Sequence, residues 1–235
     1  MRGAGARARN DCVMPERGHD ASLEALRVEL DATTEIEDPT EQMLEVAAIV
    51  EEAVASLGLH PIVVGGLAVA YWAAGTYLTH DIDVVMPYVP DLDSRMSSLG
   101  FEREGRMWVL PGRAVFFEAP GNQLEPNPDG FEVVETRSGR HVRVQAAADV
   151  LLVRLQEFLA TGHSDAFQQS LWLLGVESFD HARVATKARV LGLDQAVKEL
   201  EGYAERFGRT GQLPETWELR ELAKRLNRLS AGGHE

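Results

Sequence analysis

Residues 60–87 decide the fold of this chain, and they read HPIVVGGLAVAYWAAGTYLTHDIDVVMP. A short apolar run at 62–64 ends in two glycines, and the alanine-rich stretch that follows contains good helix formers and no charge. Residues 79–86 are rich in β-branched side chains and are followed by a proline, which is typical of a second strand. The sequence therefore predicts a strand, a glycine turn, a helix and another strand in direct succession.

The second predicted strand carries two carboxylates. Because successive side chains of a strand alternate between its faces, Asp81 and Asp83 point one way while Ile82 and Val84 point the other. The Cα atoms of the two aspartates are then about 6.5 Å apart. Such a pair repels itself unless a cation lies between its members or solvent screens it. This spacing favours a metal site; the alternative is a strand at the sheet edge with two solvated aspartates.

The glycine pair on a strand-to-helix turn, followed by Asp-Ile-Asp on the next strand, resembles the core of the nucleotidyltransferase superfamily. That superfamily includes DNA polymerase beta-like enzymes, antibiotic nucleotidyltransferases, minimal nucleotidyltransferases and AbiE-type antiphage toxins. The motifs lie within residues 60–87, and a weaker match in the order of elements extends to about residue 175. The resemblance implies an α/β fold, in which a nucleotidyltransferase-like mixed sheet with flanking helices is followed by a C-terminal helical region.

The resemblance also implies a site. In the superfamily the glycine turn holds nucleotide phosphates and the two aspartates bind magnesium, which makes Gly65 and Gly66 nucleotide-binding residues and Asp81 and Asp83 catalytic metal ligands. The implied cofactor is Mg²⁺ or Mn²⁺. Magnesium binds through one or two protein carboxylates and leaves positions for phosphate oxygens. Glycines let the backbone approach a phosphate closely, and a following helix presents free N–H groups. The alternative for the glycines is a plain turn that needs positive φ.

Further positions follow the superfamily pattern less closely. Thr79 resembles the hydroxyl residue that often stands two positions before the first aspartate. Many members carry a basic residue two positions earlier still, where this chain has Tyr77, and that departure removes a phosphate-binding cation. Glu118, at the end of a predicted strand, resembles the acid that activates the acceptor hydroxyl, although a lone glutamate there is more often solvated. Glu132 and Glu135 are its substitutes.

One basic side chain is also implicated. Arg154 projects from a predicted apolar helix, at a place where members of the superfamily commonly direct a basic residue towards the triphosphate. The alternative is an arginine at a helix rim that extends its charge into solvent.

The expected function is a magnesium-dependent nucleotidyltransferase that moves an NMP group from an NTP to a hydroxyl acceptor on RNA, protein or a small molecule. A rival from another class is a catalytically silent module that binds nucleotide or protein, such as half of a toxin–antitoxin pair. A third interpretation is an acidic helical scaffold that uses the sheet only as support.

Composition excludes several classes. With 45% hydrophobic and 26% charged residues, the 235-residue chain has the composition of a soluble globular protein. No apolar run approaches the ~18 residues of a membrane span, and residues 1–10 lack the apolar core of a secretory signal, so we expect a cytoplasmic protein without membrane attachment. The net charge of -14 argues against broad nucleic-acid binding. A single cysteine, Cys12, excludes an internal disulfide and a cysteine-based zinc site.

Acidic side chains are concentrated near the N-terminus, where residues 21–60 hold ten acids and one arginine. The pattern indicates a solvated helix face, or alternatively a docking surface for a basic protein partner on the acidic N-terminal helices.

Three regions are expected along the chain. Residues 1–21 have low hydrophobicity and predict a disordered tail, and residues 22–145 form the α/β core. Within the core, helices are predicted at 22–30 and 40–58, with Ser22 and Thr40 as caps, and short antiparallel strands at 107–110, 114–118, 131–136 and 141–145. Residues 146–235 predict a helical C-terminal region.

Overall fold

The computed structural model describes residues 22–74, 77–124, 130–176, 179–210 and 213–231. The tail at 1–21 that the sequence predicts to be disordered lies outside these residues. The described helices are α1 Leu23–Ala32, α2 Pro39–Ala55, α3 Gly65–Trp72, α4 Leu92–Ser98, α5 Ala147–Thr161, α6 Ser164–Leu174, α7 His181–Val190, α8 Asp194–Thr210 and α9 Thr216–Ala231, with a 3-10 turn at Thr33–Glu35. The described strands are β1 Ile62–Val63, β2 Asp81–Val85, β3 Glu102–Glu104, β4 Met107–Leu110, β5 Val115–Gly121, β6 Phe131–Glu135 and β7 His141–Gln145.

The described strands form one mixed seven-stranded sheet in the order β3-β4-β5-β2-β1-β7-β6. The pairs β2–β5 and β1–β7 are parallel, whereas β1–β2, β3–β4, β4–β5 and β6–β7 are antiparallel. The predicted antiparallel pairing within residues 107–145 is confirmed for β4–β5 and β6–β7. The sequence did not predict that β5 and β7 also pair in parallel with the earlier strands β2 and β1. The predicted fold class, a mixed sheet with flanking helices followed by a helical region, is confirmed.

Helix capping determines where the first two helices begin. The Ser22 side chain accepts a hydrogen bond from the Ala25 N–H at 3.2 Å, which confirms the predicted cap of α1. For α2 the predicted cap is wrong: Asp38, not Thr40, accepts from the Glu41 N–H at 2.8 Å. Proline at position 39 suits the first turn of a helix, where its missing N–H has no partner to lose.

Arginines of the sheet and its turns neutralise much of the N-terminal acidity. Six of the ten acids of residues 21–60 form ion pairs with them: Glu29, Glu45 and Glu52 with Arg140, Glu51 with Arg143, Asp31 with Arg113, and Glu41 with Arg137. These pairs attach α1 and α2 to the sheet. Glu45 and Glu51 are buried, whereas the other eight acids of residues 21–60 are exposed, as the predicted solvated helix face requires. A docking surface for a basic partner stays a prediction.

The hydrophobic core runs through both halves of the chain. One buried cluster extends from Leu26 in α1 to Leu226 in α9 and includes Ile82 and Val84 of β2. All described strands end by Gln145 and the described elements after it are helices, but these helices share the core of the sheet. A division into two domains near residue 146 stays a prediction. Among the described residues, no helix combines the length and apolar character needed to cross a bilayer.

Candidate active site

Strand β2 lies in the middle of the sheet and presents two different faces. Ile82 and Val84 are fully buried, whereas Asp81 is exposed and Asp83 is partly buried. The two aspartates therefore share the face that turns away from the packed core, as expected from the alternation of side chains along a strand. Because β2 has strands on both sides, they do not lie at a sheet edge.

A third carboxylate stands beside this pair. Strand β5 is parallel to β2, and Glu118 is the register partner of Asp83, which separates their Cα atoms by about 4.8 Å. The expectation that Glu118 ends its strand is wrong. Strand β5 continues to Gly121, whose carbonyl accepts a hydrogen bond from the Met86 N–H at 3.2 Å, so pairing with the chain of β2 extends past Glu118.

The two substitutes for Glu118 lie elsewhere. Glu132 and Glu135 are on β6, which forms the far edge of the sheet and is separated from β2 by β1 and β7. Three strand spacings amount to about 14 Å, which is beyond the reach of a carboxylate shared with Asp83. Among the three glutamates considered from the sequence, Glu118 is the one that the sheet brings to the aspartates.

The electrostatics of the site concentrate on Asp83. Burial raises the pKa of the Asp83 carboxyl above its ordinary value, and the charges of Glu118 and Asp81 raise it further. Two cations, Arg154 and Arg106, act in the opposite direction and lower this pKa. The carboxylates thus repel one another, and additional positive charge at this position would stabilise their ionised forms.

Arg106 is a site residue that the sequence reasoning missed. Its Nε lies 2.7 Å from Glu118 Oε1, although the arginine side chain is 82% exposed and that of Glu118 only 14%. The contact is an ion pair without hydrogen-bond geometry, and Glu118 Oε1 has no hydrogen-bond partner in the described part of the chain. The pairing of β4 with β5 could have indicated this contact, because Met107 on β4 is opposite Glu118 on β5 and directly follows Arg106.

Arg154 is within electrostatic reach of Asp83 from helix α5. Its Nη1 donates to Glu157 Oε2 one turn further along the helix, while its Nε is buried and has no partner among the described residues. The side chain is 18% exposed, so it is not a surface arginine extended into solvent. Arg154 and Arg106 thus bring positive charge to the carboxylates from a helix and from a turn of the sheet.

The glycine turn is built against Asp83. Gly65 begins α3 with φ +64°, and a Cβ added there would lie 2.4 Å from Asp83 Oδ2. The preceding residue, Val64, donates its N–H to the Asp83 carbonyl at 2.9 Å. Valine has no side-chain acceptor with which to cap the helix, so the positive end of α3 is left to other partners. The packing of this chain alone therefore requires glycine at Gly65.

The second glycine faces two other side chains. A Cβ at Gly66 would lie 3.1 Å from Tyr77 Cε1 and 3.3 Å from Thr79 Oγ1. The Thr79 hydroxyl in turn accepts a hydrogen bond from the Asp81 N–H at 3.1 Å, which fixes the start of β2. The structure gives Thr79 a local structural role, and a contact of Thr79 with nucleotide stays a prediction.

The carboxylates have the chemistry of a magnesium site. Asp81, Asp83 and Glu118 supply hard oxygen donors, and Glu118 Oε1 is buried without a hydrogen-bond partner in the described residues. Within the ranges that the structure describes, no three acidic, histidine or cysteine side chains are already grouped closely enough to hold a metal by themselves. Magnesium commonly takes one or two carboxylates together with substrate phosphates, so this donor set suits a metal that enters with a nucleotide.

Comparisons with known proteins give only a likeness of fold. No protein-family model and no curated protein sequence matches the chain. An antigenic nucleotidyltransferase-like protein from Paracoccidioides brasiliensis is similar in structure, with a TM-score of 0.49 and 16% identity over 72% of this chain and 93% of the other. The solution structure of the antibiotic-resistance factor ANT(2'')-Ia gives a TM-score of 0.38 and 18% identity over 64% of this chain and 94% of the other. At these values neither similarity assigns a reaction, so the chemistry is inferred from the side chains of the site.

Proposed function

We propose that this protein is a magnesium- or manganese-dependent nucleotidyltransferase, which moves an NMP group from an NTP to a hydroxyl acceptor in the cytoplasm. The observation that carries this proposal is the register pairing of Asp83 with Glu118 on adjacent parallel strands, with Asp81 on the same face as Asp83. Three acids on neighbouring strands, with two arginines acting on the central acid, form a site suited to a metal and a polyphosphate.

The residues divide the work of the reaction. Asp81 and Asp83 would hold the metal, which would offset the negative charge of the triphosphate. The acceptor hydroxyl attacks the α-phosphorus and forms a new P–O bond, the bond to the β-phosphate oxygen breaks, and pyrophosphate leaves. Glu118, whose Oε1 has no hydrogen-bond partner among the described residues and is ion-paired with Arg106, takes the hydroxyl proton as general base once Arg106 moves to the phosphates.

Arginines and backbone groups complete the phosphate site. Arg154 and Arg106 offset charge on the triphosphate, which is the task that a basic residue at the position of Tyr77 would otherwise perform. The positive end of α3, which begins at Gly65, favours an anion at the same side of β2. Positioning and charge neutralisation of this kind account for most of the catalysis of phosphoryl-type transfers.

The contact between Arg106 and Glu118 favours a second candidate. If Arg106 stays on Glu118 when nucleotide is bound, no base is available, and the protein is a catalytically silent module that binds nucleotide or a protein partner, including one of a toxin–antitoxin kind. The enzyme and the silent module differ in turnover and share the metal and nucleotide site.

The test is a transfer assay with a matched pair of variants. The protein is incubated with each α-labelled NTP, Mg²⁺ or Mn²⁺, and total cellular RNA, protein and small molecules. Glu118→Gln keeps the shape of the side chain and removes its charge, whereas Glu132→Gln makes the same change on the distant strand β6. We expect Glu118→Gln to lower transfer about 10²-fold or more and to leave NTP affinity within a few-fold of wild type. Glu132→Gln should change neither transfer nor affinity.

One result would overturn the proposed activity, and another would overturn the role of Glu118. If the protein binds nucleotide but forms no labelled product under any condition, the enzyme is excluded and the silent module is supported. Transfer that survives in Glu118→Gln would exclude Glu118 as the general base.

A further inference from the structure

Two aromatic side chains form a pair beside the glycine turn. The ring centroids of Tyr77 and Trp172 are 6.1 Å apart, and the ring planes are tilted by 40°. Tyr77 Cε1 would lie 3.1 Å from a Cβ at Gly66, so the tyrosine ring rests directly against the turn. Both side chains are partly exposed, which means that the pair borders solvent and is not sealed in the core.

A buried amide stands next to this pair. Gln169 lies three residues before Trp172 on α6, and residues at this spacing are neighbours on one side of a helix. The Gln169 side chain is 5% exposed, and its Oε1 has no hydrogen-bond partner among the described residues. A buried acceptor without a donor is unfavourable, and a ligand that supplies an N–H would relieve this cost.

We propose that Tyr77, Trp172 and Gln169 form the subsite for the nucleobase of the NTP. The base stacks on the aromatic pair, and an N–H on its edge donates to Gln169 Oε1. This inference rests on the proposed function, since it concerns the base of the nucleotide whose phosphates lie by Asp81 and Asp83.

The position of Tyr77 supports this assignment. The Tyr77 ring and the Thr79 side chain both lie against Gly66. The Thr79 hydroxyl accepts a hydrogen bond from the Asp81 N–H, so these contacts connect Tyr77 to the start of strand β2. The Tyr77 ring therefore borders the same turn that would hold the phosphates of a nucleotide beside β2. Tyr77, which stands where a phosphate-binding cation was expected, then contacts the base. Arg154 and Arg106 bind the phosphates instead.

The test compares a ligand that has a base with one that lacks it. Calorimetry measures the affinity of wild type and Trp172→Leu for an Mn²⁺–NTP and for Mn²⁺–tripolyphosphate. Stacking of a base on an aromatic side chain contributes enough that its removal should weaken NTP binding about tenfold or more. Affinity for tripolyphosphate should stay within twofold, and Trp172→Phe should retain most of the NTP affinity. Trp217→Leu, on α9 at a tryptophan that is 66% exposed, is the matched control and should change neither ligand.

A second variant tests the hydrogen bond. Gln169→Met keeps the approximate shape of the side chain and removes the acceptor. We expect the differences in affinity among the four NTPs to become smaller and the affinity for the preferred NTP to fall severalfold. The affinity for tripolyphosphate should not change. Thermal stability should be unchanged or higher, because an unsatisfied buried acceptor is removed.

The outcomes separate this inference from the proposed function. Wild type that binds neither ligand contradicts the proposed function itself. Wild type that binds both ligands, with NTP affinity unchanged in Trp172→Leu, excludes the subsite and leaves the metal site standing. An equal loss of both ligands in Trp172→Leu also overturns the subsite, since it shows that Trp172 supports only the fold.

Discussion

Asp83 and Glu118 are register partners on adjacent parallel strands, and their carboxylates are close enough to repel each other. Burial of Asp83, together with this neighbour and Asp81, raises the pKa of its carboxyl. The site therefore carries electrostatic repulsion in the metal-free protein, which costs stability and favours the binding of a cation.

The first prediction concerns the pH dependence of stability. Because the pKa of Asp83 is raised, the folded protein holds this proton more tightly than the unfolded chain does. Ionised Asp83 thus destabilises the metal-free fold above its raised pKa, and the penalty fades as the pH falls towards the unfolded value of about 3.9. We expect Asp83→Asn to raise the Tm at pH 7 and this gain to shrink steadily at acid pH, as measured by calorimetric scans.

The control for this prediction is Asp91→Asn, at an exposed aspartate that precedes α4. It should show no comparable gain at pH 7. A lower Tm for Asp83→Asn at pH 7 would mean that the arginines stabilise Asp83 more than burial and its acidic neighbours destabilise it.

The second prediction concerns Gly65. Alanine at a positive φ costs about 1–2 kcal/mol, and Gly58→Ala, at φ +72° with no atom within 4 Å of the added Cβ, should show that cost alone. Gly65→Ala has a similar φ but places its Cβ 2.4 Å from Asp83 Oδ2, so it should lose more free energy of unfolding than Gly58→Ala. Denaturant titration measures both losses.

The origin of the additional loss can be checked with a double variant. Asp83→Ala removes the contacting carboxylate, so in the Asp83→Ala background Gly65→Ala should cost about as much as Gly58→Ala. Equal losses for Gly65→Ala and Gly58→Ala would show that the turn does not press against Asp83.

The third prediction concerns Arg106. Its ion pair with Glu118 involves an arginine that is 82% exposed, and pairs of this kind contribute about 0–1 kcal/mol. Arg106→Gln should therefore change the Tm little, but it should weaken NTP binding severalfold by removing a cation from the carboxylates. Arg137→Gln, at an arginine that is 71% exposed and paired with Glu41, is the matched control for stability and should bind NTP normally. Unchanged NTP affinity in Arg106→Gln would remove Arg106 from the site.

The fourth prediction tests a buried ion pair of the helical region. Asp149 is fully buried, and the Lys187 Nζ lies 2.5 and 2.6 Å from its two carboxylate oxygens, which links α5 to α7. Lys187→Met leaves the buried Asp149 charge with Arg183, at 3.9 Å, as its one remaining ion-pair partner within the described ranges, and should cost about 3–5 kcal/mol of unfolding free energy. Lys224→Met, at an exposed pair with Glu221, should cost little. Similar losses for both variants would contradict a structural role for Asp149.

Local patterns predicted the part of the site that depends on local geometry. The placement of Asp81 and Asp83 on one face follows from the two-residue period of a strand, and the fully buried Ile82 and Val84 show the same alternation. The turn ahead of α3 was readable because glycine allows a backbone conformation that other residues rarely adopt.

Non-local pairing decided the rest. The sequence does not show that β5 lies beside β2 in the sheet. This pairing selects Glu118, and not Glu132 or Glu135, as the third acid of the site. Arg106 was missed for the same reason, since its contact with Glu118 depends on the register of β4 against β5, in which Met107, the residue after Arg106, is opposite Glu118. The capping of α2 by Asp38 was within reach, because aspartate followed by proline is a strong helix start.

The most direct test of the metal and nucleotide site is the thermal shift produced by Mn²⁺ plus NTP. A ligand at one hundred times its Kd stabilises a protein by about 2.7 kcal/mol, which is a readily measured rise in Tm. Wild type and the control Glu132→Gln/Glu135→Gln, which removes two acids from the distant strand β6, should show this rise in full. Asp81→Asn/Asp83→Asn should fold and lose it. An equal rise in the aspartate double variant and in wild type would contradict the placement of the site on β2.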